Sequence, residues 1–416
     1  MSNYFAFRDN HLCVEQVQLG DIAQRFGTPC YVYSLAALQE GYRQFESALA
    51  GCEHLVCYAV KANPNLAILN QFARMGAGFD IVSGGELQRV LAAGGSAGKV
   101  VFSGVGKTVA EMRMALEAGI LCFNVESEAE LLRLNEVARD MRCKAPVSMR
   151  VNPDVDARTH PYISTGLKQN KFGVAYAEAL ALYRKAGELQ HLRVTGMDCH
   201  IGSQLTDIAP FVAATEKVLM LVERLASEGI VLEHLDLGGG LGIRYNDETP
   251  PSIAEYAGAL RGVLRGRCEK IILEPGRALV GNAGVLLTCV EYLKHGEEKH
   301  FAIVDAAMND MMRPALYDAW HLIQPVQPGS MPPRQYEVVG PVCETGDFLG
   351  HARSLAIAQG DLLVVMSAGA YGMSMSSNYN SRPRAAEVMV SGAIAQLIRE
   401  RETAQQLFAG EKVFTR

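Results

Sequence analysis

From about residue 35 to residue 281, the chain alternates short apolar runs with segments in which apolar residues recur every three or four positions. Short apolar runs predict buried strands, and the three-to-four spacing predicts amphipathic helices. The predicted strands end near eight residues, Lys61, Ser83, Gly104, Glu126, Asn152, His200, Gly238 and Glu274. The predicted helices are 66–75, 86–93, 109–118, 128–140, 176–188, 210–228 and 253–265 in the seven gaps, preceded by 35–49.

This alternation predicts a parallel sheet, because parallel strands need a crossover connection. Eight strand–helix repeats over roughly 240 residues match the size of a closed (β/α)8 TIM barrel. A doubly wound sheet is the alternative, but it usually has fewer strands. Its GxGxxG fingerprint also differs from the run Gly238-Gly239-Gly240-Leu241-Gly242. We predict the barrel as one domain, residues 36–281.

The rest of the chain has a different pattern, in which strand-like runs follow one another. They lie at 283–293, 300–305, 336–340, 362–366 and 387–390 after the barrel and at 5–8 and 30–34 before it, with one short helix at 16–26. Such a succession of strands predicts an all-β domain. We therefore predict an α/β protein with a second domain, a β-sandwich or β-barrel formed by residues 1–35 and 282–416.

Composition narrows the possible partners. The 416 residues carry a net charge of −6, which gives no electrostatic reason to expect nucleic acid or an anionic membrane. No signal peptide is visible and no uncharged apolar stretch reaches about 18 residues, so we expect a cytoplasmic protein without a membrane span. The ten cysteines form no CxxC pair and several lie in apolar runs, which predicts reduced core thiols and no metal site.

Polar residues gather where the predicted strands end. They are Lys61, Asp80, Arg150 with Asn152, His200 with Ser203, the glycines 238–240, and Glu274 with Arg277. The carboxyl ends of barrel strands build the active site in this fold. A purely structural barrel gives no reason for this clustering, so we predict an active site at this end.

Lys61 is the most unusual of these residues, because it follows the apolar strand 56–60 directly. A buried ammonium is costly unless it is paired or loses its proton, and a lysine of lowered pKa forms Schiff bases with carbonyl compounds. Taken alone, a surface lysine at a strand end is the simpler interpretation. Two other features favour a Schiff-base lysine instead. Glycines 238–240 suit a phosphate cradle, and Glu274 suits a pyridine nitrogen. Together with Lys61 they predict pyridoxal 5'-phosphate.

Seven motifs make nearly the whole chain similar to the fold-type III pyridoxal-phosphate decarboxylases, and within them to the diaminopimelate decarboxylases. They are YAVKAN at 58–63, FDIVSGGE at 79–86, HIGSQ at 200–204, GGG at 238–240, EPGR at 274–277, CETGD at 343–347 and GAY at 369–371. The resemblance implies an alanine-racemase-like fold, in which the N-terminal segment joins the C-terminal β domain, and pyridoxal 5'-phosphate as the cofactor.

The resemblance also implies roles for single residues. Lys61 binds the cofactor aldehyde, His200 stacks on the ring, and Glu274 contacts the pyridine nitrogen, where racemases of this fold have an arginine. The implied cofactor-binding residues are Lys61, Asp80, His200, Ser203, Gly239, Gly240, Glu274, Pro275, Gly276, Arg277 and Tyr371. The implied catalytic residues are Lys61, His200 and Cys343, the last as proton donor to the carbanionic intermediate.

The implied reaction converts meso-2,6-diaminopimelate into L-lysine and CO2, the last step of lysine biosynthesis. Segment 308–317 carries this resemblance. It implies that Arg313 and Tyr317 bind a substrate carboxylate with Arg277, that Glu344 binds the distal ammonium, and that Tyr371 contacts cofactor and substrate. The resemblance also implies that segment 159–166 is a mobile flap over the site. The Cys343 loop implies a homodimer whose active sites are shared across the interface.

Two alternatives stay open. Ornithine and arginine decarboxylases of polyamine metabolism share the lysine, histidine, glycine and EPGR motifs, but their substrates end in a cation alone. A non-catalytic relative that acts by binding a partner is the other alternative. Such relatives usually lose the Schiff-base lysine or the proton donor, and Lys61 and Cys343 are both present.

Overall fold

The computed structural model describes residues 4–155, 171–267 and 269–415. The chain divides into two compact units by the packing of its segments. The barrel unit is Gly41–Ile243 with Thr249–Leu279, and the sheet unit is Met1–Glu40, Arg244–Glu248 and Val280–Arg416. The sequence gives no sign that the short segment Arg244–Glu248 belongs with the sheet unit.

The barrel unit contains a closed ring of eight parallel strands, which confirms the predicted fold class. Each strand pairs with the next along the chain, and the last pairs with the first through Leu273 and Val56. The strands are His54–Ala59, Gly78–Ile81, Val100–Phe102, Cys122–Val125, Ala145–Asn152, Leu192–Asp198, His234–Asp236 and Lys270–Leu273, and Val174–Ala175 adds a short ninth strand beside the fifth.

Helices alternate with these strands as the apolar spacing predicts. They are Leu66–Arg74, Gly84–Ala92, Val109–Ala118, Glu128–Asp140, Tyr176–Glu188, Ala209–Ser227 and Ile253–Val263, with Leu35–Ala48 before the first strand. Local capping fixes several starts, because a polar side chain accepts a hydrogen bond from an otherwise unpaired helix N–H. Thr108 and Ser252 form capping boxes with Glu111 and Glu255.

The sheet unit contains a three-stranded sheet and a nine-stranded mixed sheet. The small sheet is Phe5–Arg8, His11–Val14 and Val17–Gln18. The main path of the large sheet runs, side by side, through Phe348–Leu355, Arg334–Val339, His300–Val304, Gly284–His295, Cys30–Ser34, Ala386–Ser391 and Ile394–Arg399. Leu362–Val365 and Ile323–Pro325 extend it from Gly284–His295.

Apolar side chains from both sheets of this unit form one core, which includes Leu12, Val32, Leu287 and Val388. The unit also has the helices Leu19–Phe26, Arg313–Tyr317 and Ala404–Leu407. The first begins three residues later than predicted, because Val17–Gln18 pairs with the strand His11–Val14 instead. Among the described residues, no helix combines the length and the apolar character that a bilayer crossing requires.

Candidate active site

Lys61 lies just beyond the first barrel strand, in the one-turn helix Val60–Ala62. Its ammonium forms an ion pair with the carboxylate of Asp80, on the neighbouring strand Gly78–Ile81. The Asp80 side chain is fully buried, whereas that of Lys61 is 36% exposed. Lys61 is therefore half-buried, and it lies two residues beyond the last residue of the strand. Asp80 stabilises the ammonium as an ion pair, the alternative to proton loss.

The turn that carries Glu274 and Arg277 packs against the turn of Lys61. The N–H of Ala59 donates to the carbonyl of Pro275 at 3.1 Å. A Cβ atom at Gly276 would lie 3.1 Å from the Cβ atoms of both Ala59 and Ala62. A larger residue at Gly276 would therefore push the EPGR turn away from the lysine turn.

Three buried acids, Asp198, Asp236 and Glu274, occupy the ends of the last three barrel strands. One carboxylate oxygen of each lies within 4.8 Å of those of the others. Burial and the neighbouring acids raise the pKa values of Asp198 and Glu274 well above their usual range, and burial raises that of Asp236 to about 6. Such a cluster holds protons at neutral pH, because charged carboxylates repel one another in a site that excludes water.

The three oxygens are close enough to contact a single metal ion. The spacing of these residues in the sequence does not indicate such a site. On the other side of Asp198 lies Arg150, whose Nε is 3.8 Å from Asp198 Oδ2. The Nη1 of Arg150 is 3.3 Å from Glu126 Oε1. The acid cluster therefore continues into an ion-pair network inside the barrel.

His200 follows the sixth strand and contacts the glycine run. Its Nδ1 accepts a hydrogen bond from the N–H of Gly239 at 3.1 Å. Burial, with the positive charges of Arg150 and Lys61, lowers the pKa of His200 well below its usual value. The imidazole is therefore neutral, and its remaining proton lies on Nε2.

The glycine run approaches neighbouring backbone so closely that side chains are excluded. A Cβ atom at Gly239 would lie 2.1 Å from the carbonyl oxygen of Glu274, and Gly240 has a φ of +107°. The N–H of Gly238 donates to Asp236 Oδ1 at 2.9 Å, and that of Gly239 donates to His200. Two of the three amides therefore donate within the barrel mouth in this structure, and the phosphate cradle at glycines 238–240 stays a prediction.

Arg277 begins the short helix Arg277–Val280 and is buried. Its Nη2 donates to the hydroxyl oxygen of Ser203 at 3.1 Å. A hydroxyl and a guanidinium held together in this way are suitable ligands for a phosphate. The barrel unit therefore brings together Lys61, Asp80, His200, Ser203, Gly239, Gly240, Glu274, Pro275, Gly276 and Arg277, which the sequence predicted.

The other predicted site residues belong to the sheet unit. Arg313 and Tyr317 begin and end the helix Arg313–Tyr317, where Arg313 is buried and Tyr317 is half-buried. Tyr371 has a φ of +55°, an uncommon backbone conformation for a residue with a large side chain. Strained backbone of this kind concentrates at functional sites.

Cys343 and Glu344 are exposed in the loop before the strand Phe348–Leu355. The N–H of Cys343 donates to Asn380 Oδ1 at 2.7 Å, and Glu344 Oε2 accepts from the Tyr379 hydroxyl at 3.0 Å. These bonds tie the loop to the segment around residue 380. The predicted flap, residues 159–166, lies outside the described residues.

Sequence reasoning missed Asp198, Asp236 and Glu86 as site residues. Burial raises the pKa of Glu86 to about 7, and its Oε2 accepts from the N–H of Val82 at 2.7 Å. A signal was present for Asp236, since an acid between two leucines at the end of a buried strand is costly without a role. Asp198 comes close to Glu274 because the last three barrel strands lie side by side.

Asp236→Asn is expected to change how stability depends on pH. Folded Asp236 retains its proton up to about pH 6, whereas an unfolded aspartate loses it near pH 4. Its contribution is therefore fully present below about pH 4 and is lost as the pH rises through about 6. Asparagine cannot ionise. Between pH 4 and pH 7, the free energy of unfolding should therefore fall by about 2–3 kcal/mol less in the variant than in the wild type.

Thermal unfolding of cofactor-free protein at several pH values measures this difference. Asp140→Asn is the matched control, because Asp140 is an exposed residue whose surface ion pairs contribute little. Parallel curves for Asp236→Asn and the wild type would show that Asp236 is ionised in the folded protein at pH 4 to 7.

Comparison with known proteins gives concordant results. Residues 35–281 match the family described as pyridoxal-dependent decarboxylase, pyridoxal binding domain. The chain is 63% identical over 409 residues to a diaminopimelate decarboxylase from Pseudomonas aeruginosa, covering 98% of this chain and 99% of that one. It is 60% identical over 400 residues to one from Neisseria meningitidis, covering 96% and 98%.

Solved structures show the same similarity. A diaminopimelate decarboxylase from M. jannaschii in co-complex with L-lysine superposes with a TM-score of 0.94 at 40% identity, covering 99% of this chain and 98% of that one. A lysine/ornithine decarboxylase from Vibrio vulnificus complexed with cadaverine has a TM-score of 0.80 at 22% identity, covering 90% and 97%. At that identity the second comparison shows the fold alone.

Proposed function

Because the chain belongs to the pyridoxal-dependent decarboxylases and, within them, to the diaminopimelate decarboxylases, we propose that it converts meso-2,6-diaminopimelate into L-lysine and CO2. The geometric observation that carries the proposal lies at the mouth of the barrel. The amine of Lys61 forms an ion pair there with Asp80, beside the turn that carries the buried carboxyl of Glu274. A nucleophilic amine and a buried acid are the two groups that pyridoxal chemistry needs from a protein.

Pyridoxal 5'-phosphate fits the described residues. Glu274 Oε1 is buried and has no hydrogen-bond partner among the described residues, so a pyridine nitrogen would satisfy it. Ser203 and Arg277 would hold the phosphate, and Gly240 and Gly276 allow their turns to approach neighbouring protein atoms closely. Lys61 is exposed enough to reach an aldehyde. We propose that these residues, with His200 and Tyr371, bind the cofactor.

When bound, pyridoxal 5'-phosphate supplies a protonated pyridine ring that accepts the electron pair left behind as CO2 departs. Glu274 keeps a proton, because burial and Asp236 raise its pKa well above the usual range. Beside a pyridine nitrogen, Glu274 would hold this proton between its carboxyl and the ring, and its carboxylate would balance the positive charge of a protonated ring. Asp80 forms an ion pair with the Lys61 ammonium and so holds its nitrogen at the mouth of the barrel.

We propose that the sheet unit supplies the residues that select the substrate. The guanidinium of Arg313 suits a bidentate contact with a carboxylate, and Tyr317 adds a hydroxyl donor from the same helix. Glu344, an exposed acid, suits the distal ammonium. A substrate without that carboxylate would leave the buried Arg313 without its contact, which disfavours ornithine and arginine.

Cys343 is proposed as the proton donor to the carbon from which CO2 leaves. The thiol is exposed, and its backbone N–H is fixed by Asn380. We propose further that the protein is a homodimer, in which the Cys343 loop of one subunit serves the reaction of the other. The cytoplasm is the proposed location, since all nine described cysteines are free thiols and would stay reduced there.

The proposed reaction predicts a clear substrate preference. Purified protein with added pyridoxal 5'-phosphate should release CO2 from meso-diaminopimelate, with lysine as the product, and at least about 100-fold faster than from ornithine or arginine at equal concentration. Mass-spectrometric analysis of the products identifies the amine formed in each case. Faster release from ornithine or arginine would assign the chain to polyamine metabolism and would remove Arg313 from the substrate site.

A further inference from the structure

Arg313 is held by two other residues of the sheet unit. Its Nη1 lies 2.6 Å from Nε2 of His321, eight residues further along the chain. Its guanidinium carbon lies 4.5 Å from the centre of the Tyr245 ring. The rings of Tyr245 and His321 meet edge to face, with their centres 5.0 Å apart. These three side chains, Arg313, His321 and Tyr245, form what we call the arginine clamp.

His321 is fully buried and contacts one group on each side of its ring. Nδ1 lies 2.8 Å from the carbonyl oxygen of Met366, opposite the contact between Nε2 and Arg313. A guanidinium only donates hydrogen bonds and a carbonyl only accepts them. Both contacts are therefore satisfied by one form of the ring alone, the neutral imidazole with its proton on Nδ1.

This arrangement fixes the guanidinium in two ways. The hydrogen bond to His321 determines where one nitrogen lies, and contact with the Tyr245 face restricts the tilt of the guanidinium plane. A bidentate carboxylate contact needs two N–H groups that point in parallel, and a free arginine loses much rotamer entropy on forming it. A guanidinium that is already oriented loses less, so it binds the carboxylate more tightly.

We propose that His321, supported by Tyr245, is a positioning residue that orients Arg313 for the carboxylate that diaminopimelate and lysine share. This inference rests on the proposed function, because it takes Arg313 as a substrate ligand. Neither residue was found by sequence reasoning. Tyr245 belongs to Arg244–Glu248, the short segment that joins the sheet unit from the middle of the barrel sequence.

His321→Gln and His321→Asn both introduce an amide, but they place it differently. In His321→Gln, the amide oxygen lies near the position of Nε2 and is able to accept from Arg313. In His321→Asn, the shorter side chain places its amide near Nδ1, where it is able to donate to Met366 but does not reach Arg313. His321→Ala removes both contacts. If the contact with Arg313 orients the guanidinium, the glutamine variant should bind substrate like the wild type and the asparagine variant should bind it more weakly.

The test is steady-state kinetics on the holoenzyme with meso-diaminopimelate, together with inhibition by L-lysine. We expect the KM and the lysine inhibition constant to rise about 10- to 100-fold in His321→Asn and His321→Ala, as for a lost hydrogen bond to a charged group. In both variants kcat should stay within about threefold of wild type, because substrate binding rather than the reacting atoms is affected. His321→Gln should stay within about threefold of wild type in both constants.

Equal losses in the glutamine and asparagine variants would overturn the proposal and leave His321 as a packing residue. So would a lower kcat at constant KM, or four proteins with the same KM. If His321→Ala fails to fold, the comparison of the glutamine and asparagine variants still tests the proposal. If the wild type itself releases no CO2 from diaminopimelate, the proposed function fails, and lysine binding by calorimetry in the same variants still tests the arginine clamp.

Discussion

Lys61→Ala is expected to lower kcat by about 10⁴-fold or more, the largest effect of any substitution considered for this chain. The Lys61 amine lies at the described barrel mouth, where it forms an ion pair with the carboxylate of Asp80. Alanine leaves pyridoxal 5'-phosphate without its covalent attachment to the protein. The absorbance band of the attached cofactor should disappear together with CO2 release.

Lys185→Ala is the matched control, because Lys185 is an exposed lysine that pairs with Glu128 on the barrel surface. Its activity and cofactor absorbance should equal those of the wild type. Retention of more than about a tenth of wild-type turnover by Lys61→Ala would be incompatible with the role of Lys61. A thermal melt of both variants distinguishes loss of chemistry from loss of fold.

Glu274→Gln is expected to lower kcat by about 10²- to 10³-fold, the second largest effect. Glutamine has almost the same shape, but it carries no proton that it is able to give to a ring nitrogen and no charge that stabilises the protonated ring. The position is sensitive because Glu274 is only 5% exposed and its Oε1 has no partner among the described residues. Cofactor attachment should persist, since Lys61 is unchanged.

The measurement is kcat with the cofactor absorbance recorded on the same sample. Glu233→Gln serves as control, because Glu233 lies next to the seventh barrel strand but is exposed and pairs with Arg193. A Glu274→Gln variant whose kcat stays within about threefold of wild type would exclude Glu274 as the partner of the pyridine nitrogen.

Much of the barrel could be predicted because its signals are local. The helix Val109–Ala118 was predicted to the residue, since Thr108 and Glu111 form a capping box and a glycine follows the last turn. The strands Phe348–Leu355 and Ile394–Arg399 were missed. At least half of the residues in each strand are polar or exposed, and only pairing with distant strands makes them part of the sheet.

The barrel half of the site could be predicted for a similar reason. Lys61, His200 and Glu274 follow predicted strands, and the ends of parallel strands in a barrel must come together. The arginine clamp could not be predicted, because 68 residues separate Tyr245 from Arg313 and only the tertiary structure of the sheet unit brings them into contact. The protonation of the three buried acids could not be predicted either, because it depends on burial, which cannot be derived from the spacing of residues in the sequence.

Peptide mapping of the attached cofactor tests the central claim most directly. The holoenzyme is reduced with borohydride, which makes the link between amine and cofactor permanent, then digested and analysed by mass spectrometry. We predict one modified lysine, Lys61, in the peptide that contains the run YAVKAN. Modification of a different lysine, or of none, would contradict the assignment of the barrel mouth as the site of pyridoxal chemistry.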